Sequence, residues 1–154
     1  MTKEIQHYTE SIIYDIELTA RVIKLMSAQL FNDIKSCLLP EEYTALDVIL
    51  CKPGICQRDL AKLIFKDRAN TGRILNSLEK KGFIKRFADI KNNRLVRKME
   101  LTDIGYKEFK LINRKLKESI KKMTKKFPRN TINNLQKSLI DFRVGIENVL
   151  NLNI

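Results

Sequence analysis

Apolar residues return at helical spacing through the first 35 positions. Ile5, Ile12, Ile16, Ile23, Met26 and Leu30 make one stripe, and Ile13, Ala20, Ser27 and Ile34 widen it. The pattern predicts a long helix over 4–35, apolar on more than one side and therefore packed against more than one partner. Pro40, Glu41 and Glu42 restart the chain, because proline suits a first helical turn and carboxylates complement the helix dipole. This second helix carries Tyr43, Leu46, Val48, Ile49 and Leu50 and stops at the turn signal Lys52-Pro53-Gly54. A third helix is predicted over 55–65, with Leu60, Ala61, Leu63 and Ile64 inward and Arg58, Lys62 and Lys66 in water. Asp67 suits the N-cap of a fourth helix, Gly82 suits its C-terminal turn, and Ile74, Leu75 and Leu78 anchor it.

The pattern then changes. Residues 83–88 and 94–101 predict two strands, joined over 89–93, where Asn92 and Asn93 tolerate positive φ. Thr102 caps a long helix with Phe109, Ile112, Leu116, Ile120, Met123 and Phe127 in register, until Pro128 breaks it. In the last helix Ile132, Leu135, Leu139, Phe142, Ile146 and Val149 follow one another at steps of 3, 4, 3, 4 and 3. Such a narrow seam meets another helix. The predicted fold is mostly α with a small β-hairpin: a winged helix-turn-helix lobe over 36–102 and helical dimerisation segments over 1–35 and 103–154. Ile5 and Ile12, with the six seam residues of the last helix, form the predicted interface of a homodimer. The alternative is a monomer that folds these helices onto its own lobe.

Charge adds a partner. A formal net charge of +12 and a pI near 9.7 favour polyanions. The stretch from Arg68 to Gly82, running into a basic hairpin, has the order of parts expected of a DNA-recognition helix followed by a wing. Its N-terminal edge offers Arg68, Asn70, Thr71 and Arg73. Arginine pairs in bidentate fashion with guanine and asparagine with adenine, and Thr71 suits a thymine methyl or a phosphate. Gly72 implies a close approach, to DNA or to a neighbouring helix. Lys91 and Arg94 suit the narrow, negative minor groove. Asp89 carries the wrong charge for DNA and is expected to orient Arg94 or Lys91. Arg58, Lys62, Lys66 and Arg97 are candidate phosphate contacts. Lys80, Lys81, Lys85, Arg86 and Lys98 read as further steering charges or solvated faces. A second basic run, from Lys107 to Arg129, reads as the wet side of an amphipathic helix or as a surface for DNA flanks.

The element order and the local sequence resemble the MarR family of transcriptional regulators. Leu60 to Leu63 is similar to the family's positioning helix, and Arg68 to Ile84 to its recognition helix and turn into the wing. Asp89, Lys91, Asn92 and Arg94 look like its wing signature. Leu101, Thr102 and Gly105 are similar to its exit motif. Lys91 stands where the pattern has arginine, and Asn92 where it has aspartate, so an ion pair is lost from the wing. The resemblance implies a DNA-binding repressor released by a small aromatic or anionic effector. Tyr8, Tyr14, Phe31 and Tyr43 are candidates to line its cleft, with His7 beside them.

Other classes find less in the chain. One histidine, three cysteines without a Cys-x-x-Cys pair, no Gly-rich phosphate loop and no clustered carboxylates predict no metal, no cofactor and no catalysis. The N-terminal residues lack a signal-peptide core and no apolar run reaches the ~18 residues of a membrane span. A cytoplasmic protein with reduced Cys37, Cys51 and Cys56 and no membrane partner is expected. Thiol-based redox sensing is an alternative, although oxidant-sensing relatives carry their cysteine near the start of the first helix, where this chain has none. A winged-helix protein-interaction module that does not read DNA is the other. RNA ranks lower, with no aromatic stacking platform in view.

Overall fold

The computed structural model describes residues 7–150; Ile5 and the side chain of Lys91 lie outside the described residues. Two compact units are formed, Met1–Pro40 and Glu41–Ile154.

The first unit holds a 3-10 turn, Tyr8–Glu10, and helix α1, Ile12–Asp33. The predicted helix over 4–35 is therefore shorter at its start. Ser11 is the reason: its backbone is extended and its side chain accepts a hydrogen bond from Tyr14 N (3.2 Å), which makes it an N-cap.

The second unit is the lobe and its helical extension. It contains α2 (Pro40–Cys51), β1 (Ile55–Cys56), α3 (Gln57–Leu63), α4 (Arg68–Lys80), β2 (Ile84–Lys91), β3 (Arg94–Leu101), α5 (Asp103–Thr124) and α6 (Arg129–Val149). The strands form one antiparallel sheet in the order β1-β3-β2. Ile55 and Cys56, expected to begin a helix, pair instead with Met99 and Lys98. The hairpin runs from Ile84 opposite Leu101 to Lys91 opposite Arg94. Residues 89–91 thus belong to a strand and not to the loop. The turn is only Asn92-Asn93, with φ of 52° and 57°, the left-handed pair that a two-residue hairpin needs.

The core is built by Ala45, Leu46 and Ile49 of α2, Leu60 of α3, Leu75 and Leu78 of α4, Met99 of β3 and Ile112 of α5, each nearly or fully buried. Burying each large apolar side chain contributes roughly 1.5–3 kcal/mol. Tyr43 stacks flat on Phe109 at 5.0 Å, tying α2 to α5. Where α5 leaves the sheet, Thr102 Oγ1 donates to Gly82 O (2.6 Å) and accepts from Gly105 N (3.0 Å). A Cβ on Gly105 would sit 2.0 Å from the carbonyl oxygen of Phe83, so only glycine allows this approach. Phe127 lies beyond α5, whose last residue is Thr124. No helix among the described residues is long and apolar enough to cross a membrane.

Candidate nucleic-acid interface

Helix α4 starts as its sequence dictates. Asp67 is extended and its carboxylate accepts from Asn70 N (2.7 Å), so it is the N-cap. Gly82 takes φ +75° just past the helix end. Ile74, Leu75 and Leu78 are buried, which fixes the helix by one stripe and leaves the opposite edge in solvent. Arg73 lies on that exposed edge, Arg68 is exposed as the first residue of the helix, and Asn70 is half-buried. Arg73 donates through Nη2 to Asn70 Oδ1, and Asn70 Nδ2 donates to Asp67 Oδ2. The two hydrogen bonds from Asn70 hold the Asp67 carboxyl below its ordinary range.

Thr71 is a correction. It is fully buried, and its Oγ1 donates to the Asp67 carbonyl (2.8 Å), so it touches neither a thymine methyl nor a phosphate. Its spacing from Ile74, Leu75 and Leu78 is that of one helix face, which could have placed it. Gly72 faces α3: a Cβ there would meet Gln57 Nε2 at 3.4 Å, and that amide donates to Arg68 O at 3.3 Å.

The Asp89 carboxylate pairs with Lys98 and accepts from Ile90 N (2.8 Å), and no bond joins it to Arg94 among the described residues. Lys98 and that backbone bond hold the Asp89 carboxyl below its usual range. Arg94 is exposed beside the turn. Ile90 and Leu95 oppose one another and are 72% and 75% exposed, an apolar pair next to the cationic tip.

Several cations read as steering charges serve the lobe itself. Lys81 Nζ donates to both oxygens of Glu42 (2.9 and 2.7 Å), and Ser77 Oγ donates to the same carboxylate (2.5 Å). Glu42 is 2% exposed, so this charge is buried and fully partnered. Arg86 pairs with Glu79 and donates to Asn76 Oδ1 (2.7 Å), clamping β2 to α4. Lys85 pairs with Glu100 at 3.5 Å. The Arg86 contact holds the Glu79 carboxyl below its ordinary range. Glu42 and Ser77 escape a sequence reading because they are 35 residues apart, and Glu79 because its partner Arg86 lies across the turn from α4 into β2. Arg97 and Lys80 make no ion pair among the described residues. Arg58 pairs with Asp59 (3.6 Å) and Lys66 with Glu41 (3.3 Å), both in solvent, and Lys62 is exposed. Along α5 the cations Lys110, Arg114, Lys117 and Lys121 are exposed while Phe109, Ile112 and Leu116 are buried, as an amphipathic helix requires.

The aromatic candidates are engaged in packing. Tyr8 meets Tyr14 edge-on at 5.9 Å, Tyr43 stacks on Phe109, and Phe31 is buried. Burial, and then Asp47, push the Tyr43 hydroxyl above its ordinary value. His7 is exposed. A crevice of about 290 Å³ at the α5–α6 corner is lined by Lys121, Lys125, Phe127, Arg129 and Ile132 among others, and by none of these aromatic candidates. Cys37 and Cys51 are exposed, and Cys56 Sγ donates to Asp59 Oδ2 at 3.1 Å.

The family model described as "MarR family" matches residues 38–96. An "Uncharacterized HTH-type transcriptional regulator YybA" of Bacillus subtilis (strain 168) is 33% identical over 103 residues, 67% of each chain. Among solved structures, the transcriptional regulator SlyA superposes with a TM-score of 0.73 at 26% identity, over 90% of this chain and 95% of that one. A SlyA-like regulator from Listeria monocytogenes gives 0.74 at 26%, over 90% and 91%. The S. aureus MepR–DNA complex, at 17% identity, shares the fold with a TM-score of 0.71 over 91% and 99%. From its lobe, its wing and these relatives, the chain belongs to the MarR family.

Proposed function

We propose that this chain is a sequence-specific double-stranded DNA-binding transcriptional repressor that acts as a homodimer on a near-palindromic operator. The observation that carries the reading is the division of α4. Ile74, Leu75 and Leu78 are sealed in the core, while Arg73 stands on the opposite, solvent-facing side and Arg68 is exposed at the helix's N-terminal end. A helix held by one stripe and cationic on the other can enter a major groove of about 12 Å with its N-terminal part against the base edges. The wing brings Arg94 and Lys91 to a minor groove. Arg58, Lys62, Lys66 and Arg97 meet phosphates, and the exposed pairs Arg58–Asp59 and Lys66–Glu41 cost little to exchange for them, being worth ~0–1 kcal/mol. A relative named as a transcriptional regulator, and a neighbour of the same fold solved with DNA, support this reading.

The homodimer rests on α6, which has an apolar seam and no buried residue. With Ile12 of α1, that seam is the proposed interface. Release by a small aromatic or anionic effector is included. Because Tyr43 already stacks on Phe109, a ligand reaching it must extend or displace that stack.

Binding to duplexes selected from a randomised library tests the reading. Arg73→Ala should weaken the best duplex about 5- to 100-fold, the range of one bidentate base contact, and relax one base position. Arg97→Ala should weaken all duplexes alike and reduce the salt slope by about one. Unchanged affinity and unchanged base preference in Arg73→Ala would remove the recognition assignment.

A further inference from the structure

The polar end of α4 is a ladder. Asp67, Asn70 and Arg73 are each three residues apart, the spacing at which helix side chains become neighbours. Every rung is directional. The Asp67 carboxylate can only accept, and it takes both the backbone N–H and the side-chain Nδ2 of Asn70. That turns the amide so that its oxygen faces the other way, and Arg73 Nη2 donates to it. Asp67 is itself held, since its carbonyl accepts from Thr71 N (3.0 Å) and from the buried Thr71 Oγ1 (2.8 Å).

The chemistry of adenine recognition conflicts with this arrangement. Reading adenine takes the oxygen and the nitrogen of one asparagine amide together, on one edge. In Asn70 each already has a partner within the helix, so a bidentate contact to adenine would have to share both atoms and hold the amide plane where those partners set it. Arginine has five donors and uses one of them here, leaving enough for a bidentate contact to guanine O6 and N7.

We propose that Asn70 is not a base reader but a strut, and that Asp67 and Asn70 are positioning residues that present Arg73 to guanine. The proposal rests on the DNA-reading function given above and names what sets its specificity. Holding Arg73 before binding lowers the ordering cost of a long side chain, so the benefit appears as base discrimination. Asp67 then has two separable tasks. One oxygen caps the helix; the other fixes the amide.

The separation makes the proposal testable. Serine caps a helix about as well as aspartate but has no second oxygen. The measurement is fluorescence anisotropy of the full chain on the duplex it enriches from a randomised library. The same duplex is compared with the guanine replaced at the position whose preference Arg73→Ala removes. Asp67→Ser should leave the melting temperature unchanged and, with one carboxylate fewer near the phosphates, bind scrambled DNA at least as well, while the guanine preference falls about tenfold, within the range of one base contact. Asn70→Ala should lower the guanine preference likewise. Asp67→Asn should also lose the preference, because amide nitrogen then faces amide nitrogen. Exchanging the two residues, Asp67→Asn with Asn70→Asp, restores a donor opposite an acceptor and should restore the preference ratio even if overall affinity falls. A simple capping role would not produce that rescue. Guanine preference unchanged in both Asp67→Ser and Asn70→Ala overturns the proposal. So does an Asn70→Ala protein that loses preference at an adenine and keeps it at the guanine. If the native chain enriches no sequence at all, the DNA-reading function itself fails, and the proposal with it.

Discussion

Helices α4 and α6 both carry a regular apolar stripe, and the fold treats them oppositely. In α4 the stripe is sealed: Thr71, Ile74, Leu75 and Leu78 are all buried. In α6 none of the 21 residues is buried, and Leu135, Leu139 and Val149 are 53%, 45% and 81% exposed. Periodicity is the same signal in both, but among the described residues only the α4 stripe is buried. An apolar seam of this length left in water points to a second chain, whereas scattered exposed residues would not. The two helices therefore divide the work of the proposed regulator: α4 reads, and α6 sets how far apart two readers stand.

The comparison can be broken at several points. The largest effect is expected at the joint between wing and α5. Gly105→Ala places a methyl 2.0 Å from the Phe83 oxygen, and the lobe should fail to fold cooperatively, a loss above about 4 kcal/mol seen as a missing thermal transition. Leu75→Ala should cost about 2–5 kcal/mol, read by denaturant melts, and the cost should not depend on protein concentration. Glu42→Ala, which leaves Lys81 without its carboxylate, should cost about 3 kcal/mol in the same measurement. Leu139→Glu should behave differently. It leaves lobe contacts intact, converts a sedimenting dimer to monomer, and removes the concentration dependence of melting. A concentration-independent loss there, without dissociation, would mean that α6 is packed within one chain.

The smallest effect is acid loosening of the wing. Glu79 and Asp89 have folded values below the ordinary carboxylate range, held there by Arg86 and Lys98. Their contribution is therefore present above that range and lost as pH falls through the folded values. Both carboxylate side chains are 43% exposed, so solvent screens them and the effect is slight. Glu79→Gln should show a smaller drop in urea midpoint between neutral and acid pH than the native chain.

Legibility followed distance along the chain. The caps Ser11, Asp67 and Thr102 and the turn Asn92-Asn93 act on residues within a few positions, and their residue types announce them. Ser11 was readable as a cap but was overrun by the apolar pattern on both sides. Thr71 was readable too, from its place on the Ile74–Leu78 stripe. Strand β1 was not: Ile55 becomes a strand only because Met99 lies beside it. Nor were Lys81 and Arg86 legible as lobe residues, since Glu42, Asn76 and Glu79 are joined to them only by folding. Charge shows that cations exist; folding decides which of them remain for DNA. The exposed Arg73 was legible because its hydrogen-bond partner, Asn70, lies only three positions away.

Selection of duplexes from a randomised library by the native chain, followed by sequencing, tests the paired-reader claim most directly. The account predicts an inverted repeat whose half-sites are centred one helical turn apart, about 34 Å, with a guanine in each half. Enrichment of a single half-site, or of no sequence, would contradict it.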